Sequence, residues 1–132
     1  MDHIIETEHL TKQYSATRSV DNLSIHAAKG RIYGLLGRNG AGKTTTMKML
    51  LGLTKPTSGE IRMWGEPLRG NEKKLLPRIG CLIETRGFYP NLTATENLHI
   101  FAALRGVPNR HAMRDALDLV GLPYQDKKRF SE

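Results

Sequence analysis

The sequence predicts an α/β fold, and three observations along its 132 residues support this prediction. Apolar and polar residues alternate over 4–10 and 20–28, as they do in half-buried strands. An apolar run over 31–36 leads directly into a glycine-rich loop, and a helical pattern follows the loop. Two further helical patterns lie near the end of the chain. This order of strands, a helix after a loop, a further strand and a helical pair favours a mixed sheet-and-helix domain of the α/β class.

Turn and cap residues bound the individual elements. The run 31–36 is predicted as a short strand, and the helix after the loop begins near Lys43 and stops before Gly52 and Pro56. The other predicted elements are a strand over 60–64, a short helix over 71–76, a strand over 79–83, and helices that begin at Thr93 and Asn109. Thr93 and Glu96 have the spacing of a capping box, in which each residue bonds to the other's backbone N–H.

Composition limits the classes of protein that the chain can represent. Hydrophobic residues make up 39% and charged residues 25%, as in a soluble domain with a modest core. The single cysteine, Cys81, excludes an internal disulfide. The N-terminus lacks a signal-peptide pattern, and no apolar run approaches the ~20 residues that span a bilayer. We therefore expect a cytoplasmic protein that reaches the inner face of the cell membrane only through a partner.

The formal net charge of +7 allows a polyanionic partner, which could be nucleic acid, an anionic membrane surface or a nucleotide. The basic residues are spread along the chain, and only 6% of the residues are aromatic. A groove for single-stranded nucleic acid interleaves basic and aromatic side chains. We therefore expect no nucleic-acid partner.

One loop carries a complete phosphate-binding pattern, G-x-x-x-x-G-K-[ST]. Its glycines allow backbone N–H groups to turn inward, and the following helix adds its positive N-terminal end. Lys43 is expected between the terminal phosphates, Thr44 on Mg²⁺ and Thr45 on an inner phosphate. The loop residues expected to bind nucleotide are Gly37, Arg38, Asn39, Gly40, Ala41, Gly42, Lys43, Thr44 and Thr45.

Longer stretches of the chain resemble the ATP-binding subunits of ABC transporters. These stretches are 11–14, 20–24, 34–46, 51–53, 56–59, 88–93 and 96–98. The runs 82–84 and 87–93 are similar to the bacitracin-efflux and lantibiotic-immunity subgroup. The resemblance implies a P-loop NTPase fold of the ABC ATPase type, present here in part. Residues 1–87 would form the strand-rich nucleotide-grip region, and residues 88–132 would begin the helical subdomain.

The resemblance also implies roles for two residues of the predicted strands. Tyr14 matches the aromatic residue that stacks on adenine, and a flat ring at a strand end suits that role. Val20 matches a small apolar position beside the base. From residue chemistry alone, Tyr14 could equally be a half-buried strand residue, and Val20 could be a core residue.

Glu84 stands where most of the family has a glutamine that touches Mg²⁺ and the attacking water. The resemblance therefore implies catalytic roles for Lys43 and Glu84, and Mg²⁺ ligation by Thr44 and Glu84. Two alternatives remain open from the residues. An apolar run that ends in a carboxylate is also typical of a Walker B strand, and Glu84 could be a solvated residue at a strand end.

Four elements that the family needs for hydrolysis are not found in the 132 residues. They are the signature motif, the Walker B aspartate with its catalytic glutamate, the loop that pairs with a second copy, and the switch histidine. We therefore expect the N-terminal part of an ABC ATPase, with little activity by itself.

The intact parent is expected to bind ATP with Mg²⁺ and to dimerise head to tail with a second copy. It would drive export of a peptide antibiotic or similar compound through an integral-membrane permease. The alternatives are a non-hydrolysing nucleotide-binding or permease-binding fragment, and an ABC-type ATPase that acts on nucleic acid.

Overall fold

A computed structural model describes residues 2–82, 89–104, 106, 110–124 and 127–129. The chain divides into two compact units, Met1–Ile83 and Glu84–Glu132. The first unit holds a sheet, the phosphate loop and the helix that follows it. The second unit holds the helical pair. The functional division near residue 87 remains a prediction.

The sheet of the first unit has four antiparallel strands in the order β2-β1-β3-β4. Its strands are β1 (His3–Tyr14), β2 (Thr17–Ala28), β3 (Ser58–Met63) and β4 (Glu66–Pro67). The long strands β1 and β2 form a hairpin in which Tyr14 pairs with Thr17. These strands confirm the predictions made from the alternation over 4–10 and 20–28 and from the run 60–64.

The core of the first unit lies between the sheet and the short helices. Helix α1 spans Lys43–Leu50, helix α2 spans Glu72–Leu75, and a 3₁₀ turn follows at Leu76–Arg78. Their buried apolar side chains pack with those of the strands; the core cluster comprises Leu10, Val20, Met49, Ile61, Met63, Leu68 and Leu75. Burial of this apolar surface is the main favourable term that holds the unit together.

A polar residue, Thr7, is fully buried in the hairpin beside apolar residues. The Thr7 hydroxyl donates to the Leu23 carbonyl at 2.9 Å and accepts from the Ile25 N–H at 2.9 Å. The ladder between β1 and β2 is irregular just beyond this point. The Thr7 side chain thus bonds to backbone groups that the irregular ladder would leave unpaired. Because its hydroxyl has hydrogen-bond partners, its burial costs little free energy.

Two predicted strands are not found in the described part of the chain. Residues 31–36 form no strand, and Ile32 and Leu36 are exposed. Residues 79–82 form no strand either, while Ile83 and Glu84 lie outside the described residues. An apolar run becomes a strand only when a neighbour completes its hydrogen-bond ladder. Among the described residues no strand pairs with either run.

The second unit contains helices α3 (Ala94–Leu104) and α4 (Arg110–Leu119). The predicted capping box is confirmed, because the Thr93 N–H donates to Glu96 Oε1 and the Glu96 N–H donates to Thr93 Oγ1, both at 3.1 Å. These bonds to Thr93 hold the pKa of the Glu96 carboxyl below its ordinary value. Asn109, the predicted cap of α4, lies outside the described residues.

The loop before α3 is fixed by a buried amide. The Asn97 side chain accepts from the Tyr89 N–H at 2.7 Å and donates to the carbonyls of Tyr89 and Thr93 at 3.1 and 3.0 Å. None of the helices described in either unit is long and apolar enough to cross a membrane.

Candidate phosphate-binding site

The phosphate loop borders a cavity of about 310 Å³. Its lining residues are Ser19, Asn39, Gly40, Gly42, Lys43, Thr44 and Thr45. Six of these seven residues belong to the set predicted from the loop pattern, and Ser19 is the addition. The predicted residues Gly37, Arg38 and Ala41 belong to the same loop but do not line the cavity. A larger cavity of about 450 Å³ lies beside Trp64 and the start of β1, and its lining includes none of the predicted site residues that the structure describes.

The turn into α1 requires a glycine at position 42. Gly42 has a φ of 93°, in the left-handed region that L side chains rarely adopt, and it caps the N-terminus of α1. A Cβ at this position would lie 2.2 Å from the carbonyl oxygen of Ser19. Glycine therefore permits both the backbone turn and the close approach of the loop to β2.

The start of α1 directs donors towards the cavity. All residues of this helix are described, and none in its first turn is acidic, so its positive end is uncompensated. The buried Thr46 hydroxyl donates to the Gly42 carbonyl at 2.8 Å and reinforces the first turn. The preceding turn is closed by a 3.0 Å bond from the Ala41 N–H to the Arg38 carbonyl. Exposed backbone N–H groups at such a helix start form an anion-binding site.

Lys43 is half-buried, and its ammonium donates to the carbonyl of Gly37 across the loop. A lysine side chain with four carbons can move its charge to a neighbouring phosphate without a change in the backbone. Thr44 is exposed and Thr45 is half-buried at the cavity wall. The loop residues that line the cavity thus combine one cation, several backbone donors and two hydroxyl groups.

This donor set fits a polyphosphate together with Mg²⁺. The described residues that line the cavity include no acidic side chain, and the N-terminus of a helix favours the negative charge of a phosphate. Among the described residues there is no group of three or more His, Cys, Asp or Glu side chains that could hold a metal. Mg²⁺ commonly takes one or two protein ligands and completes its shell with phosphate oxygens and water. The Thr44 hydroxyl can serve as one such ligand.

The residues predicted to contact the base lie on the hairpin. Tyr14 ends β1, its side chain is 49% exposed, and the Lys12 ammonium lies 5.1 Å from its ring centroid. Val20 is buried in the core, and its Cγ2 would be 3.1 Å from a Cβ on Gly42. Val20 therefore packs beneath the loop, and the adenine contacts of both residues remain predictions. Glu84 lies outside the described residues.

Ser19 is the lining residue that the sequence pattern did not identify. It lies between exposed and buried positions of β2 and belongs to no phosphate-binding pattern of its own. The only sequence signal is its place directly before Val20. Its contribution depends on the β1–β2 hairpin, which brings residue 19 to the loop that begins almost twenty residues later.

The chain is similar in sequence to a known protein family and to named proteins of that family. The ABC transporter family matches residues 20–132. The chain is 53% identical over 128 residues to the bacitracin transport ATP-binding protein BcrA of Bacillus licheniformis, covering 97% of this chain and 42% of that protein. It is 51% identical over 132 residues to BcrA of Enterococcus faecalis, covering 100% of this chain and 43% of that protein.

A solved structure of an ATP-binding subunit of an ABC transporter has the same fold, with a TM-score of 0.79 at 26% identity. The match covers 96% of this chain and 54% of that structure. The chain therefore spans less than half of the two bacitracin transport proteins and about half of the solved subunit. Because the family match includes most of the chain and the phosphate loop, the chain belongs to the ABC transporter ATP-binding family.

Proposed function

We propose that the chain is the nucleotide-binding part of a subunit that couples ATP binding and hydrolysis to export through a membrane permease. The observation that carries this proposal is the donor-lined cavity of the phosphate loop. The exported compound is proposed to be a peptide antibiotic or a similar molecule, because the two similar BcrA proteins are named for bacitracin transport.

Four loop residues and Tyr14 have defined roles in this proposal. The Lys43 ammonium leaves the Gly37 carbonyl and pairs with the terminal phosphates, while the backbone N–H groups around Gly40 and Gly42 hold the phosphate oxygens. The Thr44 hydroxyl ligates Mg²⁺, and Tyr14 stacks on the adenine. When bound, Mg²⁺ neutralises phosphate charge as the phosphoryl group transfers.

Hydrolysis is proposed for the intact domain, with Glu84 as a further Mg²⁺ ligand that orients the attacking water. The intact protein would pair head to tail with a second copy and bind a permease at the inner face of the membrane. By itself the chain is proposed to have little ATPase activity, because its 132 residues contain no signature motif and no Walker B aspartate–glutamate pair.

Titration of the purified chain with Mg-ATP tests the binding step. Lys43→Ala should weaken binding about tenfold or more, because hydrogen bonds to charged groups contribute about 1.5–3 kcal/mol and 1.4 kcal/mol corresponds to tenfold. Lys48→Ala is the matched control, since Lys48 lies in the last turn of the same helix and not at the cavity. It should bind as the unchanged chain does.

Two results would contradict the proposal. If the Lys43→Ala chain bound Mg-ATP as tightly as the unchanged chain, Lys43 of the phosphate loop would have no part in nucleotide binding. ATP turnover by the chain alone at ordinary enzyme rates, abolished by Lys43→Ala, would contradict the proposed inactivity.

A further inference from the structure

We propose that Lys12 is a positioning residue, which fixes the ring of Tyr14 in the orientation that stacks on the base of the nucleotide. This inference rests on the proposed function, because it deepens the description of the same site. The Lys12 ammonium lies over the Tyr14 ring, 5.1 Å from its centroid, and donates to the carbonyl of Lys55 at 2.8 Å. One cation thus connects the aromatic ring to the loop that follows helix α1.

The contact between Lys12 and Tyr14 follows from their spacing in β1. Residues two apart in a strand project their side chains from the same face. The negatively polarised face of an aromatic ring attracts a cation that lies within about 6 Å of the ring centroid. Lys12 is half-buried, whereas about half of Tyr14 remains exposed. The ring therefore has a cation on one side and open surface for a ligand.

The loop after α1 is bonded to both α1 and β1. The Thr57 N–H donates to the Thr11 carbonyl at 2.8 Å, and the Thr57 hydroxyl accepts from the Gln13 N–H at 2.9 Å. At the other end of the loop, the Leu53 N–H donates to the Lys48 carbonyl of α1 at 2.9 Å. Because α1 begins at the phosphate loop, these bonds hold the end of β1 in a fixed relation to the phosphate-binding residues.

The Lys12 ammonium orders the Tyr14 ring before the nucleotide binds. A surface side chain that must be immobilised on binding reduces the affinity by about threefold to tenfold. The cation over one face of the ring removes this cost and leaves the opposite face for the base. Lys12 does not line the cavity of the phosphate loop. Its effect is therefore on the base, through Tyr14, and not on the phosphates.

Titration of the full chain with Mg-ATP and with Mg-tripolyphosphate, which lacks the base, tests this role. Lys12→Met removes the charge and keeps an unbranched side chain. It should weaken Mg-ATP binding about threefold to tenfold and leave Mg-tripolyphosphate binding unchanged. Lys12→Arg should keep the Mg-ATP affinity within about twofold, because a guanidinium also stacks on an aromatic ring.

Lys29→Met is the matched control. Lys29 is an exposed lysine directly after β2, at the opposite end of the hairpin from Tyr14, so this variant loses the same charge away from the ring. It should bind both ligands as the unchanged chain does. In a second arm, Tyr14→Ala should weaken Mg-ATP binding, and addition of Lys12→Met should cause no further loss, because Lys12 acts through the ring.

The thermal unfolding midpoint of each chain without nucleotide separates positioning from a structural role. If Lys12→Met lowers this midpoint, Lys12→Gln decides the question, because its amide keeps a donor for the Lys55 carbonyl without a charge over the ring. It should weaken Mg-ATP binding as Lys12→Met does.

Four results overturn this inference and leave the phosphate loop as the nucleotide site. They are unchanged Mg-ATP affinity in the neutral Lys12 variants, an equal loss of Mg-tripolyphosphate binding, unchanged Mg-ATP affinity in Tyr14→Ala, and a further loss in the double variant. Absence of Mg-ATP binding by the unchanged chain overturns the proposed function and this inference together.

Discussion

Strand β3 and the segment 31–36 contain similar apolar side chains in opposite surroundings. Ile61 and Met63 of β3 are 5% and 1% exposed, whereas Ile32 and Leu36 are 102% and 95% exposed. Strand β3 pairs with β1 along one edge and with β4 along the other. Among the described residues no strand pairs with 31–36. The two segments therefore have similar apolar residues, and they differ in whether the structure describes a hydrogen-bonded neighbouring strand.

This difference bears directly on the phosphate loop. The described part of the chain contains no strand that pairs with the segment before the loop, while the residues after the loop form α1. The loop is consequently anchored on its C-terminal side, where Gly42 packs against Ser19 and Val20 of β2. The anion-binding geometry thus depends on the antiparallel hairpin as well as on the loop pattern.

The largest expected effect of a substitution is in the buried strand. Ile61→Ala should lower the free energy of unfolding by about 2–5 kcal/mol, because it removes buried methyl groups and leaves a cavity. Urea denaturation followed by the fluorescence of Trp64, the single tryptophan, reports on this unit. A loss below about 0.5 kcal/mol would contradict the assignment of β3 to the core.

A pair of glycines tests how closely β3 packs against β1. Gly59 and Gly65 have similar positive φ values, 90° and 79°, so alanine strains the backbone at either position by about 1–2 kcal/mol. A Cβ on Gly59 would lie 2.5 Å from the His9 carbonyl oxygen, while a Cβ on Gly65 would meet nothing within 4 Å. Gly59→Ala should therefore lower the free energy of unfolding more than Gly65→Ala does in the same urea experiment. Equal losses would show that the two strands can separate to admit a methyl group.

The smallest expected effect is in the exposed segment. Ile32→Ala should change the free energy of unfolding by less than about 0.5 kcal/mol, as is usual for surface substitutions. It is the matched counterpart of Ile61→Ala, because the same side chain is truncated in the other environment. A loss of about 2 kcal/mol or more would show that Ile32 packs against the rest of the unit, and the comparison with β3 would fail.

Most of the elements that sequence reasoning predicted correctly have local signals; β3 is the exception, because its partner β1 is distant in the chain. The Thr93–Glu96 capping box is a bond between residues three apart, and α1 follows directly from the phosphate loop. The alternation of apolar and polar residues suffices to predict β1 and β2, because a two-residue turn brings these two strands together. In each of these three cases the interacting residues lie close together in the chain, so the local sequence pattern includes both partners.

The failures involve partners that are distant in the chain. The run 31–36 has strand composition, but composition does not provide a neighbouring strand. Ser19 was not predicted as a cavity residue, because a single serine in a strand matches no functional sequence pattern. Only the folded hairpin brings it to the phosphate loop. The adenine contact of Tyr14 and the Mg²⁺ contact of Glu84 remain predictions from the family resemblance.

Amide hydrogen exchange with and without Mg-ATP tests whether the nucleotide binds in the cavity between the phosphate loop and the start of β2. Slower exchange is expected over residues 37–46 and at the start of β2, around Ser19. Exchange in β3 should be unchanged, since no residue of β3 lines the cavity. Unchanged exchange over 37–46, or protection confined to the cavity beside Trp64, would show that the nucleotide does not bind at the phosphate loop.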